Sequence, residues 1–159
     1  MSKGSPIPYE ERYFENFKPG SVFEFSETVG VSEEEIISFA EKYDPQFFHT
    51  DPKAAEDSNF RGLIASGAHT ISLTFWLVVR NAVSGKTSCG SPGIDEVRWL
   101  KPLRPGDTLR VRLTILDAVP SSSKKDRGSV KIFVETVNQK EEVVMTYKGI
   151  SIFLKRLPG

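Results

Sequence analysis

The chain has one cysteine, Cys89, in 159 residues. A single thiol excludes an internal disulfide and any cysteine-based zinc cluster. Charge of one sign is also missing. Lys plus Arg number 21 and Asp plus Glu number 21, so the formal charge is zero. Nucleic-acid binders usually carry a basic excess, and none is present here. No stretch is apolar for long enough to span a bilayer. The N-terminal residues offer no apolar run of the kind a signal peptide needs. The compartment expected from these features is the cytoplasm or an equivalent reducing space. No period of 20–50 residues repeats, which argues against a solenoid.

What remains is an ordinary globular composition, 38% hydrophobic and 26% charged. The length suits one core. Residues 1–12 are polar, with Pro6 and Pro8, and are expected to form a loose tail. Residues 13–159 are expected to form a single domain.

Two polar groups stand out in Tyr43-Asp44-Pro45-Gln46-Phe47-Phe48-His49-Thr50-Asp51-Pro52. Asp44 precedes a proline, which biases its backbone away from the helical region. A carboxylate and an imidazole five positions apart are thus expected on an extended, irregular loop, outside the core. Flanking Phe47 and Phe48 supply an apolar setting, which shifts pKa values and suits acid–base work. Asp44 as a turn cap and His49 as a satisfied loop histidine is the plainer alternative. A metal held by Asp44, His49 and Asp51 would lack the paired spacing of zinc motifs. Asp51 before Pro52 fits better as a helix cap.

The second feature begins at Ser66-Gly67. Ile71, Leu73, Phe75, Trp76, Leu77, Val78, Val79, Ala82 and Val83 leave no polar face. Such a helix is expected to be buried on all sides, with Gly85 as its stop. Its start gathers free N–H groups and the positive end of the dipole. His69 fits a core or interface position. Ser72 is a candidate support for Asp44 and His49, although helical serines often bond their own backbone.

Around that helix the pattern is mainly β. Val22 to Val29 alternates and reads as one strand. Ser32 and Glu35 make a capping box for a helix through Ile36, Phe39, Ala40 and Tyr43. Four strands follow, at 94–100, 109–115, 130–136 and 143–154, with Gly149 a candidate bulge. One long apolar helix and an antiparallel sheet predict an α+β fold in which the sheet wraps the helix.

These residues resemble the MaoC-like dehydratases and R-specific enoyl-CoA hydratases. The family pattern on the loop is Asp, any residue, Asn, Pro, any residue, His. Asp44 and His49 keep its spacing, while Gln46 stands for Asn and Phe47 for Pro. Gly67 matches the glycine that opens the family's central helix, and Ser66 stands where the family has histidine. The family's supporting serine falls in register with Phe75, with Ser72 one turn earlier. The resemblance continues through Val97–Leu103 and the Pro105-Gly106-Asp107 turn, covering roughly residues 13–154.

The resemblance implies a hot-dog fold, a homodimer with sites at its interface and a thioester substrate on CoA or an acyl carrier. It implies a hydratase or dehydratase of trans-2-enoyl-CoA and R-3-hydroxyacyl-CoA, with no metal or redox cofactor. Asp44 and His49 would act on water, and the Gly67 N–H would polarise the carbonyl. Phe47, Phe48 and Trp76 are candidates for an acyl tunnel. Arg61, Arg98, Lys101 and Arg104 are candidates for the CoA phosphates. Two alternatives share the fold: an acyl-CoA thioesterase, and a non-catalytic acyl-thioester-binding protein.

Overall fold

The computed structural model describes residues 8–158. Six strands form one antiparallel sheet: β1 (Val22–Glu24), β2 (Val29–Gly30), β3 (Gly93–Trp99), β4 (Thr108–Pro120), β5 (Arg127–Asn138) and β6 (Val143–Leu154). The spatial order is β1-β4-β5-β6-β3, with β2 beside β1 on β4. Four α-helices are inserted between β2 and β3: α1 (Glu33–Tyr43), α2 (Phe47–Thr50), α3 (Pro52–Ala55) and α4 (Gly67–Ala82).

Alternation builds the core. Leu109, Val111, Leu113 and Ile115 of β4 are buried, as are Val130, Ile132 and Val134 of β5. Leu77, Val78 and Ala82 of α4 lie in the same cluster. The Thr74 and Thr136 hydroxyls meet at 2.8 Å, joining α4 to β5 where both side chains are fully buried. A sheet packed on one central helix is the hot-dog arrangement the resemblance implied.

Several expectations change in detail. The strand predicted over Val22–Val29 is broken. Phe25 to Thr28, four residues, span the gap opposite Val111 and Arg110 alone. The surplus carries Glu27 out to the end of α4. There it accepts from Arg80 Nε at 2.8 Å and Asn81 Nδ2 at 2.9 Å. The central helix stops at Ala82 with Val83 as C-cap, short of Gly85. It is also not buried on all sides. Thr70 and Thr74 turn inward because their hydroxyls can bond carbonyls one turn back. Phe75, Trp76 and Val79 are left 40–55% exposed.

The bulge expected at Gly149 lies instead in β3, between Asp95 and Arg98, where Glu96 has φ 51°. Gly149 stays in register with Ile132 and Ile94. Of the expected tail, residues 1–7 lie outside the described residues. The rest is ordered: Tyr9–Glu11 make a 3-10 turn. Arg12 is buried and donates to Asn81 O at 3.1 Å, which ties this segment to the end of α4. Phe14 follows and packs against Gly128, so a Cβ there would fall on its ring. Gly128→Ala is expected to cost roughly 1–3 kcal/mol by overpacking. Chemical denaturation would show this, and an unchanged midpoint would mean that the Phe14 ring moves freely.

Candidate active site

The capping box forms as expected: Glu35 N donates to Ser32 Oγ, and Ser32 N to Glu35 Oε2. α1 runs to Tyr43, and Asp44 is its C-cap, with φ −156° and ψ 71° ahead of Pro45. The chain then does not stay irregular. Phe47–Thr50 form one helical turn, closed by His49 N to Gln46 O and Asp51 N to Phe47 O. Asp51 caps α3, accepting from Lys53 N and Ala54 N at 3.0 Å each. The helical turn swings His49 inward, where it is only 4% exposed, rather than outside the core.

Asp44 and His49 meet, with Nε2 and Oδ2 3.4 Å apart. His49 Nδ1 lies 2.7 Å from Ile64 O. A carbonyl only accepts, so Nδ1 must carry hydrogen there. In the neutral ring Nε2 is then bare, and both groups present lone pairs to one spot. Two side chains donate to the Asp44 carboxylate. Ser66 Oγ donates to Oδ2 at 2.7 Å, and Gln46 Nε2 to Oδ1 at 2.8 Å. The Ser66 bond is the main reason the Asp44 pKa lies below the ordinary carboxylate range. Gln46 and the His49 charge act in the same direction, against partial desolvation.

Ser66 is not one of the site residues that the sequence suggests. It sits 22 positions from Asp44 and is fully buried. Its hydroxyl also accepts from Ala68 N as the N-cap of α4. Its cap position was the available signal. Ser72 does not reach the pair; it donates to Ala68 O at 2.9 Å and faces outward. Gln46, though longer than asparagine, reaches the carboxylate from its place in the motif.

Gly67 opens α4 beside the pair. Its N–H has no hydrogen-bond partner among the described residues, as expected of a first helical residue. A cavity of about 540 Å³ lies here. It is lined by Asp44, His49 and Gly67, with Phe48, Phe60 and Trp99 among its aromatic walls. Lys101 also lines it, although its ammonium is paired with Glu142.

The other candidates are dispersed. Phe47 is half-exposed and lies edge-on to Phe48, outside the cavity. Trp76 lies outside the cavity too, under the Arg80 guanidinium at 4.6 Å from its ring. Arg98 donates to Val97 O and Arg104 to Phe60 O. Arg61 is exposed with φ 56°. None of these three arginines lines the cavity. His69 is stacked on Phe39 at 4.4 Å, and burial lowers its pKa against the pull of Glu35. Its place is the α1–α4 contact. Among the described residues no group of three His, Cys, Asp or Glu could hold a metal, and no helix is long and apolar enough to cross a membrane.

The model of the MaoC like domain matches residues 14–144, and the chain belongs to that family. The uncharacterised protein YdeM of Bacillus subtilis is 31% identical over 143 residues, 89% of this chain and 98% of YdeM. The crystal structure of a MaoC-like dehydratase from Rhodospirillum rubrum superposes with TM-score 0.84 at 36% identity, covering 92% of this chain and 99% of that one. Mesaconyl-CoA hydratase of Cereibacter sphaeroides is 28% identical over 138 residues, 86% of this chain. This chain spans only 39% of that hydratase, whereas it spans nearly all of YdeM.

Proposed function

We propose that the protein hydrates trans-2-enoyl thioesters of CoA or an acyl carrier, and dehydrates the R-3-hydroxyacyl thioesters in reverse. One observation carries the reading: Asp44, His49 and the free Gly67 N–H all border one cavity. A water placed between Asp44 Oδ2 and His49 Nε2 can donate one hydrogen to each. As its oxygen bonds to carbon 3, its proton passes to this pair. The π electrons of the double bond shift toward the thioester, and the growing charge on its oxygen meets the Gly67 N–H and the positive helix end. The pair then returns a proton to carbon 2, and the atoms balance with nothing but water added. The reaction asks for no metal or redox cofactor. Phe48 and Phe60 would exclude bulk water, and Lys101 is the cation best placed for the carrier's phosphate.

The test is a crotonyl-CoA hydration assay with chiral analysis of the product. The expected product is R-3-hydroxybutyryl-CoA. Release of free thiol would replace this reading with a thioesterase. Tight binding without turnover would replace it with an acyl-thioester-binding protein.

The reading includes a homodimer. The exposed Phe75, Trp76 and Val79 of α4 and the outer edge of β3, which among the described residues pairs only with β6, support association. Light scattering at micromolar concentration is expected to give twice the chain mass. A monomer would remove this part of the proposal. The expected setting remains the cytoplasm.

A further inference from the structure

One wall of the cavity has no role in that chemistry. Trp99, the last residue of β3, is 54% exposed, a large loss of burial for an indole inside a pocket. Its ring is nonetheless held in place. Its backbone pairs with Met145, and the next two N–H groups, of Leu100 and Lys101, both donate to Val144 O. The indole Nε1–H donates to Gly67 O at 3.1 Å. A Cβ built on Gly67 would lie 2.6 Å from Cε2 and 2.8 Å from Cζ2 and Nε1. The indole therefore rests directly on Gly67, the residue whose other peptide group has its N–H free.

We infer that Trp99 is a specificity-determining residue, whose indole sets the width available at the carbon next to the substrate carbonyl. A carbonyl oxygen accepting from Gly67 N lies about 3 Å from it. The carbonyl carbon and its neighbours are one and two bonds further on, within van der Waals reach of a ring packed on the same residue. A straight chain can lie flat along the indole, whereas a methyl branch at carbon 2 must push into it. The ring is fixed at both its backbone and its N–H, so it yields poorly. The site should therefore favour straight acyl chains over α-branched ones, and a smaller side chain at 99 should relax the preference. The inference rests on the hydratase reading only for the placing of the carbonyl.

Two isomers isolate the effect, because butyryl-CoA and isobutyryl-CoA have the same atoms and neither can be hydrated. Calorimetric titration of the wild-type protein should show butyryl-CoA binding roughly 10–100-fold more tightly, the usual worth of a misplaced methyl. Trp99→Ala and Trp99→Leu should bring the ratio near one, while Trp99→Phe, which keeps a flat ring, should retain most of it. Circular dichroism checks that each variant folds, and Trp99→Leu keeps enough bulk to cover Gly67 should Trp99→Ala unfold. Equal affinity for the two isomers in the wild type overturns the inference, as does an unchanged ratio in either folded small-residue variant. A second arm compares hydration of crotonyl-CoA and 2-methylcrotonyl-CoA, where kcat/KM should shift toward the branched substrate in the same two variants. Discriminating binding with no hydration would sink the hydratase reading and uphold the role of Trp99. Binding of neither isomer would sink both.

Discussion

Asp44→Asn is expected to lower kcat for enoyl-thioester hydration by roughly 10²–10⁴, the range lost with a general base. The substitution is conservative in shape. Ser66 Oγ–H, which donates to Oδ2 at 2.7 Å, can still donate to the amide oxygen. What vanishes is the negative charge and the Oδ1 acceptor of Gln46 Nε2. Asp44 is partly exposed and caps α1 through its backbone N–H to Ala40 O, which the substitution keeps. The melting temperature should therefore move little. His49→Ala should lower kcat comparably, and the double variant should be little worse than the poorer single one, because the proposed mechanism has the two groups act on one water. His49→Ala will not be neutral for stability. It leaves Ile64 O without its 2.7 Å partner in a buried setting, which costs about 1–3 kcal/mol. Full hydratase activity in a folded Asp44→Asn protein would remove the catalytic reading altogether.

The same carboxylate makes an acid limb with a definite direction. The proposed mechanism needs Asp44 ionised, so activity should be present above its pKa and fall as pH drops through it. Its pKa is depressed, first by the Ser66 hydroxyl, so the limb should lie below the ordinary carboxylate range. Ser66→Ala removes that bond, and the limb should move up in pH. The linked stability has the same sign, being present above the unfolded pKa and lost on acidification. An acid limb that stays put in Ser66→Ala would show that Ser66 only caps α4.

The pair was legible in the sequence because it is local. Five positions, a proline and two phenylalanines define both groups and their setting, and the structure joins them at 3.4 Å. Ser66 was not legible, since its partner lies 22 positions away and nothing local says that a helix cap also serves a carboxylate. Ser72, one turn before the register of the family's serine, is the candidate support in the sequence, but its hydroxyl is taken by Ala68 O. The helical turn at Phe47–Thr50 was hidden for the opposite reason. Pro45 marks a break after α1, but a proline signals where a helix ends and not how soon another begins. The sheet was read from alternation, which fixes faces but not bulges, so Asp95–Arg98 was missed and Gly149 wrongly favoured. The apolar run of α4 was read as burial on all sides. Hydrophobicity alone does not say whether an apolar face meets its own chain or something else, and Phe75, Trp76 and Val79 remain 40–55% exposed among the described residues.

Gly67→Ala is expected to lower kcat/KM by on the order of 10²-fold, the usual price of misplacing a reacting group by about 1 Å. The reason is contact, not backbone freedom, because alanine is well tolerated at the first turn of a helix. Its methyl would meet Trp99 at 2.6 Å, well inside any real carbon contact. One of two things must yield. If the indole swings out, it loses its bond to Gly67 O and the wall of the cavity shifts. If the helix start yields instead, the free N–H that would meet the thioester oxygen moves with it. Both routes harm the transition state more than the fold, because Trp99 is half-exposed and adds little to the core. The change in melting temperature should be small beside the loss of rate. The double variant Gly67→Ala, Trp99→Leu gives the new methyl room and should recover part of the lost kcat/KM. Removal of a polarising donor and collision with a wall are thereby separated: recovery shows that the N–H still works once the indole is gone. Wild-type kcat/KM in the single variant would mean that the start of α4 takes no part in holding the substrate carbonyl.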